Sequence, residues 1–151
     1  MMHIPSLALA LIKKYEGFSN KVYICPAGYK TIGYGHLIKS KDKVGDYLSR
    51  AEAEELLQND IIFYAMAVMQ LIKVPLTEMQ FAALISFTFN LGSAALERST
   101  LRQKINRFEY NWAAEEFLKW VFAGGVRLSG LVKRREEERA VFLACGLQIN
   151  H

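Results

Sequence analysis

The chain has few of the residues that build covalent or metal-bound frameworks. Only two cysteines, Cys25 and Cys145, occur among its 151 residues, and no C-x-x-C motif is present. Disulfide frameworks belong to short, cysteine-dense chains, so none is indicated in this one. The cysteines and histidines also lack the spacing of a zinc site. We therefore expect no metal and no cofactor.

The chain also lacks a long hydrophobic segment. Its first apolar stretch, residues 7–12, is much shorter than the ~20 residues that a membrane-spanning helix needs. Lys13 and Lys14 follow this stretch, whereas the basic residues of a signal peptide precede the apolar ones. The sequence therefore predicts no signal peptide and no transmembrane segment. We expect the protein to accumulate in the cytoplasm and to need help to reach a target outside it.

The apolar content is sufficient for a packed core. Hydrophobic residues make up 52% of the chain and charged residues 23%, which is typical of a globular protein and not of a disordered one. The length indicates one compact domain, with room for two lobes.

Positive charge is concentrated towards the C-terminus. Residues 98–151 hold ten Lys and Arg against six Asp and Glu, whereas residues 1–97 hold nine of each class. An anionic partner such as cell wall, lipopolysaccharide or nucleic acid would suit this asymmetry. A solvated basic face explains it equally well, so the charge pattern leaves both interpretations open.

Residues 6–16 are predicted to form the first helix. Pro5 precedes it, Ser6 can cap it and Gly17 can end it. Glu16 would then be its last residue. The helix dipole disfavours negative charge at that end, which suits a group that acts as an acid.

The next segment has the composition of a small sheet. Residues 18–38 combine Tyr, Thr, Ile and Val with glycines at 28, 33 and 35, which predicts short antiparallel strands and tight turns. Residues 39–48 are polar and are predicted to form a loop.

The remainder is predicted to be helical. Ser49 and Glu52 form a capping box that begins a helix of about 24 residues, long enough to bridge two lobes. Thr77 and Gln80 form a second box ahead of the apolar residues 81–91, which should be a buried central helix. Further helices are predicted at residues 100–107, 109–122 and 131–144.

These elements predict an α+β fold in a single domain. A small antiparallel β-lobe, about residues 14–58, would be joined by the long helix to a larger helical lobe. That lobe would comprise about residues 59–151 and the N-terminal helix. The cleft between the lobes is the expected site.

The residues that follow the first helix can carry glycosidase chemistry. Such an enzyme needs an acid to protonate the leaving oxygen and a second group that activates water or attacks carbon. Glu16 ends the helix, and Cys25 and Thr31 follow on the predicted hairpin. A helix end and an adjacent hairpin can converge on one cleft at this separation.

This region resembles the catalytic signature of phage-type lysozymes of glycoside hydrolase family 24. The resemblance rests on Glu16, Cys25, Thr31 and the run Gly33-Tyr34-Gly35-His36. Three further stretches resemble the family in the right order: QFAALISFTFNLG at 80–92, STLRQKI at 99–105 and KWVFAGGVRLSGLVKRREEER at 119–139. The resemblance implies a lysozyme-like fold.

The resemblance also implies roles for individual residues. Glu16 would be the general acid, and Thr31 would face the substrate and help to hold the attacking water. Leu37 and Phe89 would bind substrate in the cleft.

Four further residues would support the site. His36 and Asp60 would form a buried structural ion pair between the β-lobe and the long helix. Either Arg134 or Arg135 would contact the acid or its neighbour, and the sequence does not decide between them.

Cys25 departs from the best-known members of the family, which carry Asp at this position. A Cys25 thiolate could activate water as the carboxylate does, or it could attack the anomeric carbon. Alternatively, Glu16 and a bound water could suffice. The first two roles require a lowered thiol pKa.

The implied function is that of an endolysin, a muramidase that cleaves the β-1,4 bond between N-acetylmuramic acid and N-acetylglucosamine in peptidoglycan. The enzyme would stay in the host cytoplasm until a holin released it to the periplasm at lysis. We expect a monomer without nucleic-acid partners, with possible contact to outer-membrane lipopolysaccharide. Two alternatives remain: a lytic transglycosylase, and a non-catalytic protein that binds the wall or membrane.

Two further features of the sequence are expected to have only a structural role. Trp112 and Trp120 are expected in the core. The alternating charges of residues 133–139 are expected to pair along an exposed helix face.

Overall fold

The computed structural model describes residues 2–42 and 44–144 of the chain, so Cys145 lies outside the described residues. It confirms the α+β class. The helices are α1 Ser6–Glu16, α2 Arg50–Leu71, α3 Glu78–Leu91, α4 Ser93–Arg98, α5 Thr100–Asn106, α6 Tyr110–Glu116 and α7 Ser129–Leu143. The strands are β1 Ser19–Ile24, β2 Lys30–Gly33, β3 His36–Leu37, β4 Phe122–Ala123 and β5 Val126–Arg127.

Helix α1 has the predicted bounds but not the predicted cap. Ser6 is its first residue, Pro5 occupies the N-cap position, and no side chain caps the helix. Gly17 ends it as expected, with φ +67° and its N–H donating to the Lys13 carbonyl over 3.0 Å. The apolar face of α1 is buried in the main core, and Glu16 is left at the end next to the sheet.

Strands β1, β2 and β3 form the predicted antiparallel sheet, in that order. Thr31 in β2 pairs with Tyr23 on one side and with Leu37 on the other. Cys25 directly follows β1 and opens the turn to β2, where its N–H donates to the Tyr29 carbonyl over 2.9 Å. The register therefore places the Cys25 turn and Thr31 at the same end of the sheet.

Helix α2 contributes to two hydrophobic clusters. Its capping box between Ser49 and Glu52 forms as predicted. Near its start Ala53 packs with Ile32 and Leu48 in a small cluster under the sheet, whereas later residues of α2 pack in the large cluster of the helices. The proposed lobe boundary after residue 58 stays a prediction.

Helix α3 is the central helix. Its capping box, Thr77 with Gln80, forms as expected, and Gly92 ends the helix. Every residue from 82 to 89 is buried, because α1, α2, α4 and α7 all pack against α3. The prediction of a buried central helix is confirmed.

The C-terminal third corrects several predictions. Residues 109–122 are not one helix: α6 ends at Glu116, a 3-10 turn Phe117–Lys119 follows, and β4 and β5 form a hairpin. Gly124 and Gly125 have φ values of +56° and +77°, and such a pair favours a two-residue hairpin turn over a helix. Helix α4 was not predicted.

The two tryptophans differ in their burial. Trp112, expected in the core, is 69% exposed, whereas Trp120 packs against the core beside Phe87.

No helix within residues 2–42 and 44–144 is both long and apolar enough to span a membrane.

Candidate active site

The Glu16 carboxylate lies against the backbone of the turn between β2 and β3. Gly35 in this turn has φ +75°, and a Cβ there would stand only 3.0 Å from Cδ and Oε1 of Glu16. A side chain at position 35 would therefore collide with the carboxylate and strain the backbone. The sequence indicated Gly35 as a turn residue and as part of the lysozyme-like signature, but not this contact with Glu16.

Arg134 is the arginine that reaches the acid. Its Nη1 stands 3.3 Å from Oε2 of Glu16, and its side chain is 3% exposed. Nη2 donates to the Ser86 carbonyl over 3.1 Å, and Nε lies 3.3 Å from Oε2 of Glu138. Contacts to α3 and α7 thus hold the guanidinium in one orientation next to Glu16.

Arg135 belongs to a buried ion cluster behind Arg134. Its Nε lies 2.7 Å from Oε1 of Glu138, and both side chains are fully buried. The Ser86 hydroxyl donates to Glu138 over 2.6 Å. Burial lowers the pKa of Arg135 and raises the pKa of Glu138, although their mutual attraction opposes both shifts.

This cluster overturns the prediction of an exposed charged face at residues 133–139. Arg134, Arg135 and Glu138 are all buried, because their face of α7 packs on α3. Charge spacing alone does not show which side of a helix is covered. Ser86 and Glu138 were missed for the same reason.

Cys25 sits partly exposed in its turn, within reach of hydrogen-bond donors. Burial is the largest single influence and raises the pKa of its thiol, but hydrogen bonds with the Tyr29 backbone and the Thr31 side chain oppose it. With smaller contributions from the turn backbone they lower the pKa below its ordinary value. The thiolate is therefore favoured by local hydrogen bonds.

Tyr23 in β1 is influenced by both Glu16 and Cys25. Burial raises the pKa of the Tyr23 hydroxyl, and the negative charges of Glu16 and then Cys25 raise it further. Sequence reasoning did not single out Tyr23, because a tyrosine in a strand is ordinary.

Thr31 is more buried than expected for a residue that faces substrate. Only 1% of it is exposed, and its hydroxyl donates to the Tyr29 carbonyl over 3.0 Å. Its hydroxyl thus connects strand β2 to the turn that carries Cys25. In this position Thr31 can orient the thiol.

Leu37 and Phe89 line one cavity of about 240 Å³. Leu37 comes from β3 and Phe89 from α3, so the cavity spans the sheet and the helical core. The Glu16 carboxylate adjoins it through Gly35, which lies in the cavity wall. The remaining lining residues are His36, Lys39, Asp42, Asn59, Asp60, Phe63 and Tyr64.

The structure brings His36 and Asp60 together and adds a second carboxylate. Nδ1 of His36 lies 2.7 Å from Asp60, and Nε2 lies 3.1 Å from Asp42. The hydrogen bond to Asp60 raises the pKa of His36; burial opposes it, and Asp42 adds to it. Asp42 was missed because it lies in a loop that gave no periodic signal.

No group of three or more His, Cys, Asp or Glu side chains suited to a metal ion occurs in the part of the chain that the structure describes. The site itself presents a carboxyl group beside a guanidinium, and a thiol in a turn that favours its anion. Such groups can donate a proton and accept one at an adjacent cavity.

Comparison with known proteins agrees with this chemistry. Residues 13–138 match the family described as phage lysozyme. The endolysin of Acyrthosiphon pisum secondary endosymbiont phage 1 is 43% identical over 145 residues, which cover 93% of this chain and 98% of the relative. The endolysin of Bacillus phage B103 is 44% identical, over 94% of this chain but only 54% of that longer protein.

A solved structure has the same fold. The muramidase domain of SpmX from Asticaccaulis excentricus superposes with a TM-score of 0.84 at 32% identity, covering 95% of this chain and 99% of that one. Fold and site together define a glycoside hydrolase of the lysozyme class. The chain belongs to the phage lysozyme family.

Proposed function

We propose that the chain is an endolysin muramidase of glycoside hydrolase family 24. It hydrolyses the β-1,4 bond between N-acetylmuramic acid and N-acetylglucosamine in bacterial peptidoglycan, and so lyses the cell. The observation that supports this most directly is the Glu16 carboxylate, seated on Gly35 beside the cleft with Arg134 3.3 Å away.

Glu16 acts as the general acid. Its carboxyl proton passes to the glycosidic oxygen as the bond to the anomeric carbon breaks. This transfer leaves a carboxylate, and the guanidinium of Arg134 is already positioned to stabilise the new negative charge. Arg134 is a positioning residue, since its contacts run to Glu16, Ser86 and Glu138.

Cys25 acts as the base. Its thiolate takes a proton from water while the water oxygen attacks the anomeric carbon, which inverts that centre. The lowered pKa of the thiol supports this role. In the rival role the sulfur itself attacks the anomeric carbon as the glycosidic oxygen leaves with the Glu16 proton, and a water then displaces the sulfur, with overall retention. Thr31 orients the thiol in either case.

The test measures turbidity loss of purified peptidoglycan with the parent, Glu16→Gln, Cys25→Ser and Cys25→Asp. We expect Glu16→Gln to be inactive, Cys25→Ser to be weak and Cys25→Asp to be active. If Glu16→Gln lyses cells as well as the parent, the protein acts by binding wall or membrane without catalysis. NMR of the fresh products separates inversion from retention.

A lytic transglycosylase is the second candidate, favoured by the absence of a carboxylate at position 25. That reaction needs one acidic residue and forms an anhydro sugar without water. Its products are lighter by one water, so mass spectrometry of the digest decides. Full activity of Cys25→Ser together with anhydro products would establish the transglycosylase.

Three partner proposals accompany this function. The chain acts as a monomer, and light scattering tests this. A holin releases it from the host cytoplasm; expression without a holin should leave cells intact. The basic C-terminal third contacts outer-membrane lipopolysaccharide, and nucleic acid is not a partner. Binding assays with lipopolysaccharide and with nucleic acid test both statements.

A further inference from the structure

Phe63 is an aromatic side chain exposed at the wall of the cleft. It lies on α2, is 61% exposed, and lines the same cavity as Leu37 and Phe89. Its neighbour Tyr64 packs against the main core, so the helix turns Phe63 away from the interior. A large apolar ring left open in a cleft provides a surface on which a flat ligand can pack.

Lys39 stands beside this ring. Its Nζ lies 6.0 Å from the centre of the Phe63 ring, and Lys39 also lines the cavity. Among the described residues no carboxylate lies within 4 Å of this ammonium, although Asp42 is near. An ammonium over an aromatic face is available for an anionic group of a ligand that packs on that face.

The loop that carries Lys39 is tied down. The Lys39 backbone N–H donates to Oδ2 of Asp42 over 2.6 Å, and the same oxygen lies 3.1 Å from Nε2 of His36. His36 in turn contacts Asp60 on α2, the helix that carries Phe63. These contacts tie the loop of Lys39 to the helix of Phe63, so little ordering of that loop is needed when a ligand binds.

We propose that Phe63 and Lys39 form a binding subsite for a muramoyl residue of the glycan strand. Phe63 packs against the apolar face of the sugar ring, and Lys39 pairs with a carboxylate on the branch of that sugar. This inference rests on the proposed function, since it names a part of the substrate. The carboxylate comes either from the stem peptide or, where the peptide is absent, from the free lactyl group.

The competing explanation is that Phe63 only belongs to an exposed apolar stripe of α2. Ile62, Met66 and Met69 are also exposed on this helix, and none of them lines the cavity. Met69→Ala is therefore the matched control for Phe63→Ala. Lys41→Gln is the matched control for Lys39→Gln, because Lys41 is exposed in the same loop but does not line the cavity.

The test uses soluble glycan strands with stem peptides and the same strands after an amidase has removed them. We expect Phe63→Ala to raise KM roughly three- to ten-fold on both substrates with kcat unchanged, as for lost uniform binding. Lys39→Gln should raise KM on at least one substrate. An effect only on peptide-bearing strands identifies the stem peptide, and one only on stripped strands identifies the lactyl group.

The proposal is overturned if Phe63→Ala binds like Met69→Ala, or if Lys39→Gln binds like Lys41→Gln on both substrates. The dissociation constants of the same strands are also measured by calorimetry in the Glu16→Gln background, where no turnover interferes. If the parent proves inactive, the proposed function fails, whereas these binding constants still decide the subsite. Thermal melts of all variants show that each is folded.

Discussion

Replacing Gly35 by alanine tests whether the close contact between the Gly35 backbone and the Glu16 carboxylate matters for catalysis. The new Cβ would lie 3.0 Å from Cδ and Oε1 of Glu16 and 3.1 Å from Cγ. Non-bonded carbon atoms rest at about 3.5–4.0 Å, so the carboxylate must retreat by roughly 0.5–1 Å. A catalytic group misplaced by ~1 Å can lose about 10²-fold in rate.

We therefore expect Gly35→Ala to lower kcat by about 10- to 100-fold. The backbone adds a separate cost in stability, because an alanine at φ +75° is held in the left-handed region. That conformation costs about 1–2 kcal/mol, which for a chain of this size lowers Tm by about 2–8 °C.

Gly125→Ala is the matched control. Gly125 has nearly the same φ, +77°, but a Cβ there would meet nothing within 4 Å. Both variants should lose similar stability, and only Gly35→Ala should lose activity. Turnover of soluble glycan strands is measured well below both melting temperatures. If Gly35→Ala turns over as fast as Gly125→Ala, either Glu16 is not the acid or its position is not set by Gly35.

Three further predictions concern titration and buried charge. The hydrogen bond to Asp60 raises the pKa of His36 in the folded protein. Protonated His36 therefore stabilises the fold fully at pH values below the ordinary histidine pKa, and this stabilisation is lost as the pH rises through the pKa of the folded state. Urea unfolding across this range should show that decline, and Asp60→Asn should flatten it. If Cys25 is the base, activity should rise with pH through its lowered pKa, and Cys25→Asp should move that limb to more acidic pH; pH–rate profiles check this. Glu138→Gln leaves the buried Arg135 guanidinium without its anion and removes one of the two carboxylates beside Arg134, so calorimetry should show a loss of about 3–5 kcal/mol in the free energy of unfolding.

The elements that could be predicted are those whose signals lie within a few residues. Both capping boxes, Ser49 with Glu52 and Thr77 with Gln80, join groups three residues apart and form as expected. Gly17 ends its helix because only the local backbone decides that conformation. Such contacts are nearly independent of the rest of the fold.

Predictions failed where a local pattern was compatible with two structures. Residues 109–122 have a helical spacing of apolar residues, yet the pairing of Phe122 with Arg127 draws their end into a hairpin. Trp112 looked like a core residue from its type alone. Its exposure depends on which face of α6 the neighbouring helices cover, and composition does not show that.

The site shows the same division. Glu16, Cys25 and Thr31 lie close enough in sequence to converge on one cleft, and their resemblance to the phage-type lysozyme signature implies a glycosidase, which needs an acid and a partner. Arg134 and Arg135 are neighbours of identical type, and only the packing of α7 on α3 assigns Arg134 to the acid.

Residue order and type are sufficient for the fold class, the starts of α2 and α3 and the end of α1. Each of these follows from residue type, periodicity or short spacing, which do not depend on distant contacts. Only the folded chain determines what lies against what: Gly35 under the carboxylate, Glu138 behind Arg134, and Phe63 open at the cleft. These contacts join residues far apart in the chain or depend on which helix face is covered, and their geometry arises only when the helices pack around α3.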